Sequence, residues 1–287
     1  MNYSALIQNR KSVREFSDKY VSFADMDKIK VYHAKSVRRL LPELETELRL
    51  FGLDARAALE GAAGYKQFLV GSPQYMVLLS AKSPYAELNA GYVMEDLILK
   101  LADMGLDSCW LTFTNSEYIK TALEIDSELD VVAIAAFGYG IKTTKRLRLN
   151  VLSMSNVDVS AQRRYFQPKL RLSDMVFMDS WGNSTGVDEF IGFYDDMLWE
   201  AFYAASLSPS YLNRQPYGFV IRDGRVILVE KPDSYTDDID KKLGLGIVLL
   251  HFTSVASQWA GNLSWNLGED VSLQLPEGHV AVASCTL

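Results

Sequence analysis

The chain has 287 residues, enough for one large domain or two ordinary ones with a self-sufficient hydrophobic core. A charged fraction of 23% and a net charge of −7 are typical of a globular protein and argue against a general nucleic-acid binder. Two cysteines without a CxxC pair fit neither a disulfide framework nor a structural zinc site, so we expect a reducing, cytoplasmic compartment.

The amino terminus, MNYSALIQNRKSVREF, lacks the apolar segment of a signal peptide. The longest charge-free stretch, 243–268, contains His251 and several hydroxyl side chains, which suit a buried helix better than one facing lipid. We therefore expect no membrane association.

The first part of the chain is predicted to alternate helices with buried strands. Helices are assigned where apolar residues recur at helical spacing, and strands where short apolar runs end at Pro or Gly. The predicted elements are a short helix over 2–10, a helix over 25–50, a strand over 75–81, a helix over 87–104 with Gly105 as its C-cap, and a strand over 131–137.

The second part repeats this alternation after a joining stretch. Its predicted elements are a helix over 188–206, strands over 218–221 and 226–229 around a DG turn at 223 and 224, a long apolar helix over 239–259, and a strand over 279–285.

The recurrence indicates an internal duplication. LNAGYVMEDLILKLA (88–102) aligns with LGLGIVLLHFTSVAS (243–257), which places Gly91 on Gly246 and Trp110 on Trp265. PQYMVLL (73–79) is aligned with PYGFVI (216–221), and VVAIAAF with HVAVASC. We expect an α+β fold of two pseudo-symmetric halves, 1–150 and 176–287, joined by 151–175. With antiparallel sheets and central helices, the halves would pack as an intramolecular pseudo-dimer.

Two segments offer cations for a phosphate. RKSVREF (10–16) combines three cations with a hydroxyl, which suits phosphate recognition but is also common at a solvated helix end. QPKLRLSD (167–174) and the nearby KRLR (145–148) are either phosphate-binding cations or solvated linker.

Two further segments have both a plain and a functional interpretation. SPSYLNRQPY (208–217) is a loop with two prolines, which is either a turn that leads into a strand or a loop that grips a flat ligand. GLDSCWLTFT (105–114) is either a buried strand or an extended backbone that offers N–H groups to a ring.

Other chemistries lack support in the sequence. The chain contains no GxSxG, HExxH or P-loop motif, and its three histidines lie far apart without metal-ligand spacing. His251, on an apolar helix, is interpreted as a hydrogen-bonded core residue. Since no protein nucleophile or acid–base pair stands out, we expect a cofactor to supply the chemistry of any reaction.

In this order, the segments resemble motifs of the nitroreductase-like flavoproteins. RKSVREF resembles their R-x-S-x-R-x-F motif, and SPSYLNRQPY their S-P-S-x-x-N-x-Q-P-W loop, with Tyr217 at the position of the usual Trp. LNAGYVMEDLILKLADMGLDSCWL resembles their central helix and following strand, and PKLRL their late K-x-R-L motif. The resemblance touches most of the chain.

The order of the motifs departs from that of ordinary members. In those proteins two chains form a homodimer, and each flavin takes the basic motif from one subunit and the SPSxxN loop from the other. Here the basic motif is in the first half and the loop is in the second, while GAAGYKQFLVGSP (61–73) is assigned to the place of the first half's own loop. This resembles the fused members with two half-repeats, and it implies one composite site in a monomer.

When the roles of the family's motif residues are carried over by position, the resemblance implies a flavin mononucleotide (FMN) site. Arg10, Lys11 and Ser12 would contact the phosphate and ribityl chain, and Arg14 would lie near the flavin N1/O2 edge. The phosphate site would be completed by Lys169 and Arg171, or alternatively by Arg146 and Arg148.

The resemblance also implies contacts to the flavin ring from both halves. Trp110, Leu111 and Thr112 would line the N5 side, while Pro209, Ser210 and Asn213 would close over the ring. The implied activity is oxidation of NADH or NADPH and reduction of a nitroaromatic, quinone or similar acceptor. The alternatives are a flavin-binding protein without turnover and a scaffold that binds no flavin.

Overall fold

The structure, a computed structural model, describes residues 1–64, 69–141, 146–153, 156–162, 168–192, 196–268 and 273–287. The side chains of Arg146 and Arg148, and parts of the GAAGYKQFLVGSP, KRLR and QPKLRLSD segments, lie outside the described residues.

Antiparallel pairing builds a first sheet from the amino-terminal part of the chain. Its strands are β1 Thr46–Phe51, β2 Gln74–Ser80, β3 Asp107–Leu111 and β4 Asp130–Gly138. They lie in the order β1-β2-β4-β3. A separate hairpin follows, with β5 Arg146–Ser153 paired to β6 Asn156–Gln162.

The second sheet has the same core order and one added edge strand. Its strands are β7 Val176–Met178, β8 Tyr217–Arg222, β9 Arg225–Glu230, β10 Asn266–Leu267 and β11 Val280–Thr286. Taken from β8, the order β8-β9-β11-β10 reproduces the order β1-β2-β4-β3 of the first sheet. The added strand β7 pairs with β8 in parallel. Asp223 and Gly224 both have positive φ, as the predicted hairpin turn between β8 and β9 requires.

The helices cover and separate the sheets. They are α1 Tyr3–Asn9, α2 Phe23–Lys35, α3 Asp54–Leu59, α4 Ala86–Asp103, α5 Ser116–Ala122, α6 Val187–Gly192, α7 Met197–Ser206 and α8 Asp238–Ala256. Several begin at Asn, Ser or Asp side chains that accept a hydrogen bond from the first turn, as Asp237 does from Asp240 N. Gly105, with φ 75°, follows α4 as predicted.

The two central helices, α4 and α8, cross in direct backbone contact. A Cβ built on Gly91 would overlap the carbonyl oxygen of Leu243, and one on Gly246 would overlap that of Leu88. At the two glycines that the duplication aligned, the backbones of the two halves are therefore in direct contact. Both helices are almost entirely buried, so this crossing lies at the centre of the molecule.

Three sequence-based assignments differ from the structure. The predicted helix over 25–50 ends at Lys35, and β1 follows. Pro42 is incompatible with one regular helix over this range, and charged residues then alternate with Leu48 and Leu50 as in a strand. The predicted helix over 188–206 is divided into α6 and α7, and Asp196 adopts the left-handed conformation before α7.

The third difference concerns the alignment of the repeats. PQYMVLL forms β2, whose place in its sheet matches β9, whereas PYGFVI forms β8, which matches β1. The alignment of PQYMVLL with PYGFVI is therefore wrong, while that of VVAIAAF with HVAVASC is confirmed by β4 and β11. It follows that the counterpart of the SPSYLNRQPY loop is the α2–β1 connection at 36–45, not 61–73.

Within the described ranges, no helix combines the length and the apolar character needed to cross a membrane. Both cysteines are buried free thiols. No three His, Cys, Asp or Glu side chains in the described part of the chain lie together in a way that could hold a metal ion.

Candidate functional site

A buried carboxylate on α4 gathers donors from two motifs of the first half. Glu95 is fully buried, and its Oε1 lies 3.2 Å from Nε of Arg10, the first residue of RKSVREF. Its Oε2 accepts a 2.7 Å hydrogen bond from Nε1 of Trp110 on β3. Glu95 therefore holds both the guanidinium of Arg10 and the indole of Trp110 in position.

The second half reaches the same carboxylate through α8. Nε2 of His251 lies 3.2 Å from Glu95 Oε1. Nδ1 of His251 lies 3.0 Å from Ser208 Oγ, at the start of the SPSYLNRQPY loop, and 3.1 Å from the Ala204 carbonyl oxygen. Both ring nitrogens thus have partners, which confirms the interpretation of His251 as a hydrogen-bonded core residue.

The late basic motif completes the cluster. Nζ of Lys169 donates a 2.8 Å hydrogen bond to the Ser208 carbonyl oxygen, and Lys169 lies close enough to Arg10 and Glu95 to interact with both charges. The motifs RKSVREF, PKLRL and SPSYLNRQPY therefore meet in space, although Arg10 and Ser208 are almost 200 residues apart in sequence.

The charges in this cluster shift two pKa values. Burial and, to a lesser extent, the charge of Arg10 lower the pKa of Lys169 to about 8, although the charge of Glu95 opposes the shift. Burial alone would raise the pKa of Glu95, but Arg10, His251 and Trp110 outweigh it and hold this pKa below its usual range. Glu95 is therefore an ionised counter-ion, and Lys169 titrates close to neutral pH.

The guanidinium of Arg10 has an N–H donor that no described residue uses. Its side chain is only 8% exposed, and Nη1 is buried without a hydrogen-bond partner among the described residues. A buried guanidinium N–H without a partner is costly, and a second cation beside it makes an anion the favourable partner. The donor set of Arg10 and Lys169 thus fits a phosphate group.

The backbone of RKSVREF runs along the edge of the first sheet. Ser12 forms a parallel bridge with Ser108, and Val13 N donates to the Ser108 carbonyl oxygen at 2.9 Å. This pairing buries Val13 and Phe16 and leaves Lys11 and Arg14 exposed. The motif is therefore an added strand segment beside β3, with its cations distributed between the interior and solvent.

The SPSYLNRQPY loop is a strained turn as well as a wall of the cluster. Leu212, Asn213 and Gln215 all have positive φ. Ser210 Oγ accepts from Gln215 N at 3.0 Å, and Asn213 Nδ2 donates to the Pro168 carbonyl oxygen at 2.7 Å. The loop thus leads into β8, as a plain turn does, and it also clasps the segment that carries Lys169.

Not all predicted site residues come together. Arg171 is 83% exposed and pairs with Asp174 of the short 3₁₀ helix Leu172–Asp174 that follows it. Leu111 packs in the core, and Thr112 and Pro209 are half-buried. The buried hydroxyl of Tyr217 donates to the Ala205 carbonyl oxygen, so this residue supports the loop from inside.

Glu95 and the role of Ser208 were missed by sequence reasoning. The available signal for Glu95 was an acidic pair, Glu95-Asp96, within an otherwise apolar helix. A charge at such a position is almost always paired. Periodicity alone, however, could not identify the partners, since Arg10, Trp110 and His251 come from three separate segments.

The neighbouring Asp96 organises a second polar cluster, related to the first by the duplication. Asp96 aligns with His251 and accepts 2.8 Å hydrogen bonds from the hydroxyls of Tyr3 and Tyr32. It also accepts one from the backbone of Arg38, in the connection that corresponds to SPSYLNRQPY. Nη1 of Arg38 reaches Ser257 Oγ at 3.4 Å. Side chains of the protein itself thus occupy the position related to the first cluster.

Comparison with protein families gives one match over most of the chain. The model of the family described as "Putative TM nitroreductase" matches residues 2–256. No curated protein matches the chain.

Comparison with solved structures gives a match over the whole length. A "putative nitroreductase" from Thermotoga maritima MSB8 is 17% identical, covers 100% of this chain and 94% of its own, and has a TM-score of 0.58. An "FMN-dependent Nitroreductase" from Clostridium difficile R20291 is 22% identical over 48% of this chain and 87% of its own, with a TM-score of 0.40. The full-length match shows a shared fold.

Proposed function

Because the chain belongs to the family described as "Putative TM nitroreductase", we propose that it is an FMN-dependent oxidoreductase. It would accept hydride from NADH or NADPH and reduce a nitroaromatic, quinone or similar acceptor. One observation carries the proposal: Arg10, Lys169 and Ser208, from three separate motifs, lie in one cluster, in which a buried guanidinium N–H has no partner among the described residues.

Arg10 and Lys169 would hold the FMN phosphate. Glu95 fixes the Arg10 guanidinium through Nε and leaves Nη1 for the ligand, while Lys169 contributes a second charge. Both cations are largely withdrawn from water, so each hydrogen bond to a phosphate oxygen would be stronger than at the surface. Arg171, Arg146 and Arg148 are not needed for this arrangement.

The ring would lie between the two halves. When bound, FMN supplies the hydride-transfer chemistry. Trp110 lies on β3, at the edge of the first sheet, where the Glu95 side chain of α4 holds its indole in position. Trp110 would line the N5 side of the flavin. Ser210 and Asn213 would approach from the strained loop, and the exposed cation of Arg14 would stabilise negative charge at the N1/O2 edge.

The visible spectrum of the purified protein, followed by anaerobic addition of NADH or NADPH, tests this proposal. We expect a yellow protein with one flavin per chain, because the Asp96 cluster closes the related position, and bleaching by at least one nucleotide. A monomer is expected, since α4 and α8 already bury each other's faces. A yellow protein that neither nucleotide bleaches would indicate flavin binding without turnover, and a colourless one after incubation with FMN would refute the proposal.

FMN affinity is expected to fall above about pH 8. Lys169 has a lowered pKa of about 8, so it is charged below this pH and loses its proton as the pH rises through it. Each further pH unit should weaken FMN binding up to about tenfold, until the pKa of the bound state is reached. Fluorescence titration between pH 7 and 9.5 would measure this.

The variant Lys169→Arg should remove this dependence, because a guanidinium stays charged throughout the range. Riboflavin, which lacks the phosphate, should show no such fall with either protein. An equal fall for riboflavin and FMN would assign the pH dependence to another group.

A further inference from the structure

His251 joins the two halves of the candidate site through a single imidazole ring. The ring is fully buried on α8, with Glu95 of α4 at Nε2 and Ser208 of the loop at Nδ1. Since the Glu95 carboxylate can only accept hydrogen bonds, Nε2 carries the proton and donates to it. On the other side of the ring, Nδ1 lies 3.0 Å from the Ser208 hydroxyl and 3.1 Å from the Ala204 carbonyl oxygen.

The number of donors at Glu95 determines what Arg10 can offer a ligand. Oε1 receives Arg10 Nε and His251 Nε2, and Oε2 receives Trp110 Nε1. With three donors the carboxylate is well satisfied, and Nη1 of Arg10 stays without a partner in the described structure. If the His251 donor were lost, the fork of the guanidinium would be the nearest replacement, because carboxylates readily bind Arg in a bidentate manner.

We propose that His251 is a positioning residue for phosphate binding: by satisfying Glu95, it leaves Arg10 Nη1 available to the phosphate group of the ligand. This inference rests on the proposed function only in identifying that ligand as FMN. The same imidazole also contacts the Ser208 hydroxyl, so one side chain connects Glu95 of the first half with the loop of the second half.

Comparison of FMN with riboflavin in His251→Leu tests the inference. We expect FMN affinity to fall about 10- to 100-fold, the loss of one charge-assisted hydrogen bond. Riboflavin affinity should stay within about twofold, because riboflavin has no phosphate. An equal loss for both ligands would show a merely structural role and overturn the inference.

Two further variants serve as controls. In His251→Gln the side-chain amide can still donate to Glu95 and accept from Ser208, so FMN affinity should stay within about threefold of the original. His279→Leu changes a half-buried histidine that packs against Trp181, and it should alter neither affinity. Failure of His251→Gln to restore FMN binding would contradict the proposed role.

Inorganic phosphate separates this inference from the proposed function. Calorimetric titration should show phosphate binding to the original protein and weaker binding to His251→Leu, even if FMN does not bind. No phosphate binding by the original protein would overturn the inference.

If His251→Leu does not fold, the ¹⁵N signals of the Arg10 guanidinium in the original protein decide. Phosphate is expected to shift the Nη signals and to leave Nε, which is held by Glu95, almost unchanged. Unchanged Nη signals at saturating phosphate would overturn the inference.

Discussion

Gly246→Ala is expected to destabilise the protein by about 3 kcal/mol or more. The added methyl group would overlap the carbonyl oxygen of Leu88, a backbone atom that cannot rotate away. α4 and α8 would have to separate along their buried faces, and the packing of both halves would loosen. Urea denaturation measures the change in the free energy of unfolding. In Gly91→Ala the added methyl group would overlap the Leu243 carbonyl oxygen, so this substitution should destabilise the protein to a similar extent.

Gly244→Ala is the matched control, on the same helix and two residues away. A Cβ at Gly244 meets no atom within 4 Å. Replacing a helix-interior glycine by alanine normally adds about 0.5–1 kcal/mol of stability, since alanine loses less conformational freedom on folding. The two substitutions should therefore act in opposite directions. Equal effects would mean that α4 and α8 do not cross at Gly246.

Arg10→Ala is expected to abolish FMN binding at micromolar concentration, with at least a hundredfold loss of affinity. The change removes the Nη1 donor, which has no partner among the described residues, and one of the two cations of the proposed phosphate site. It also leaves Glu95 buried with fewer compensating donors, so some loss of stability is expected. Equilibrium dialysis with FMN, alongside a thermal melt, measures both effects.

Arg171→Ala is the matched control for this second prediction. In sequence Arg171 is as good a candidate as Lys169, but its side chain is 83% exposed and pairs with Asp174. FMN affinity should change less than about fivefold, as expected for an exposed charge. If Arg171→Ala removed FMN while Arg10→Ala retained it, the phosphate site would lie elsewhere.

Sequence patterns predicted most of the fold because its longest elements are strongly periodic. The central helices and the buried strands β2, β4 and β11 were recognisable from apolar spacing alone. β1 was missed because its alternating charges and half-buried leucines follow a helix without a glycine between them. Short elements such as α3 and α5 depend on caps and tertiary contacts, which single-sequence periodicity does not record.

The site was predictable in its motifs but not in its contacts. Arg10 and Lys169 were identified by resemblance, and the structure brings them together. Arg171 could not be told from Lys169, because both are cations of one short motif. They differ because Arg171 directly precedes the 3₁₀ helix Leu172–Asp174 and pairs with Asp174, a contact that the spacing of the cations does not indicate. Glu95 was not identified as a site residue, since nothing in the sequence of α4 indicates that Arg10, which follows α1, and His251 of α8 will contact it.

The crossing at Gly91 and Gly246 has a consequence for how the protein is made. The face of α4 that contacts α8 is buried in the folded protein, and its partner is roughly 150 residues further along the chain. At about 5–20 residues per second, this face waits roughly 8–30 s for α8 to be synthesised. During that interval the nascent first half presents an uncovered helix face. We therefore expect the isolated first half to be recovered mainly as aggregate or chaperone-bound protein, and a ribosome pause before α8 to lower the yield of folded chain.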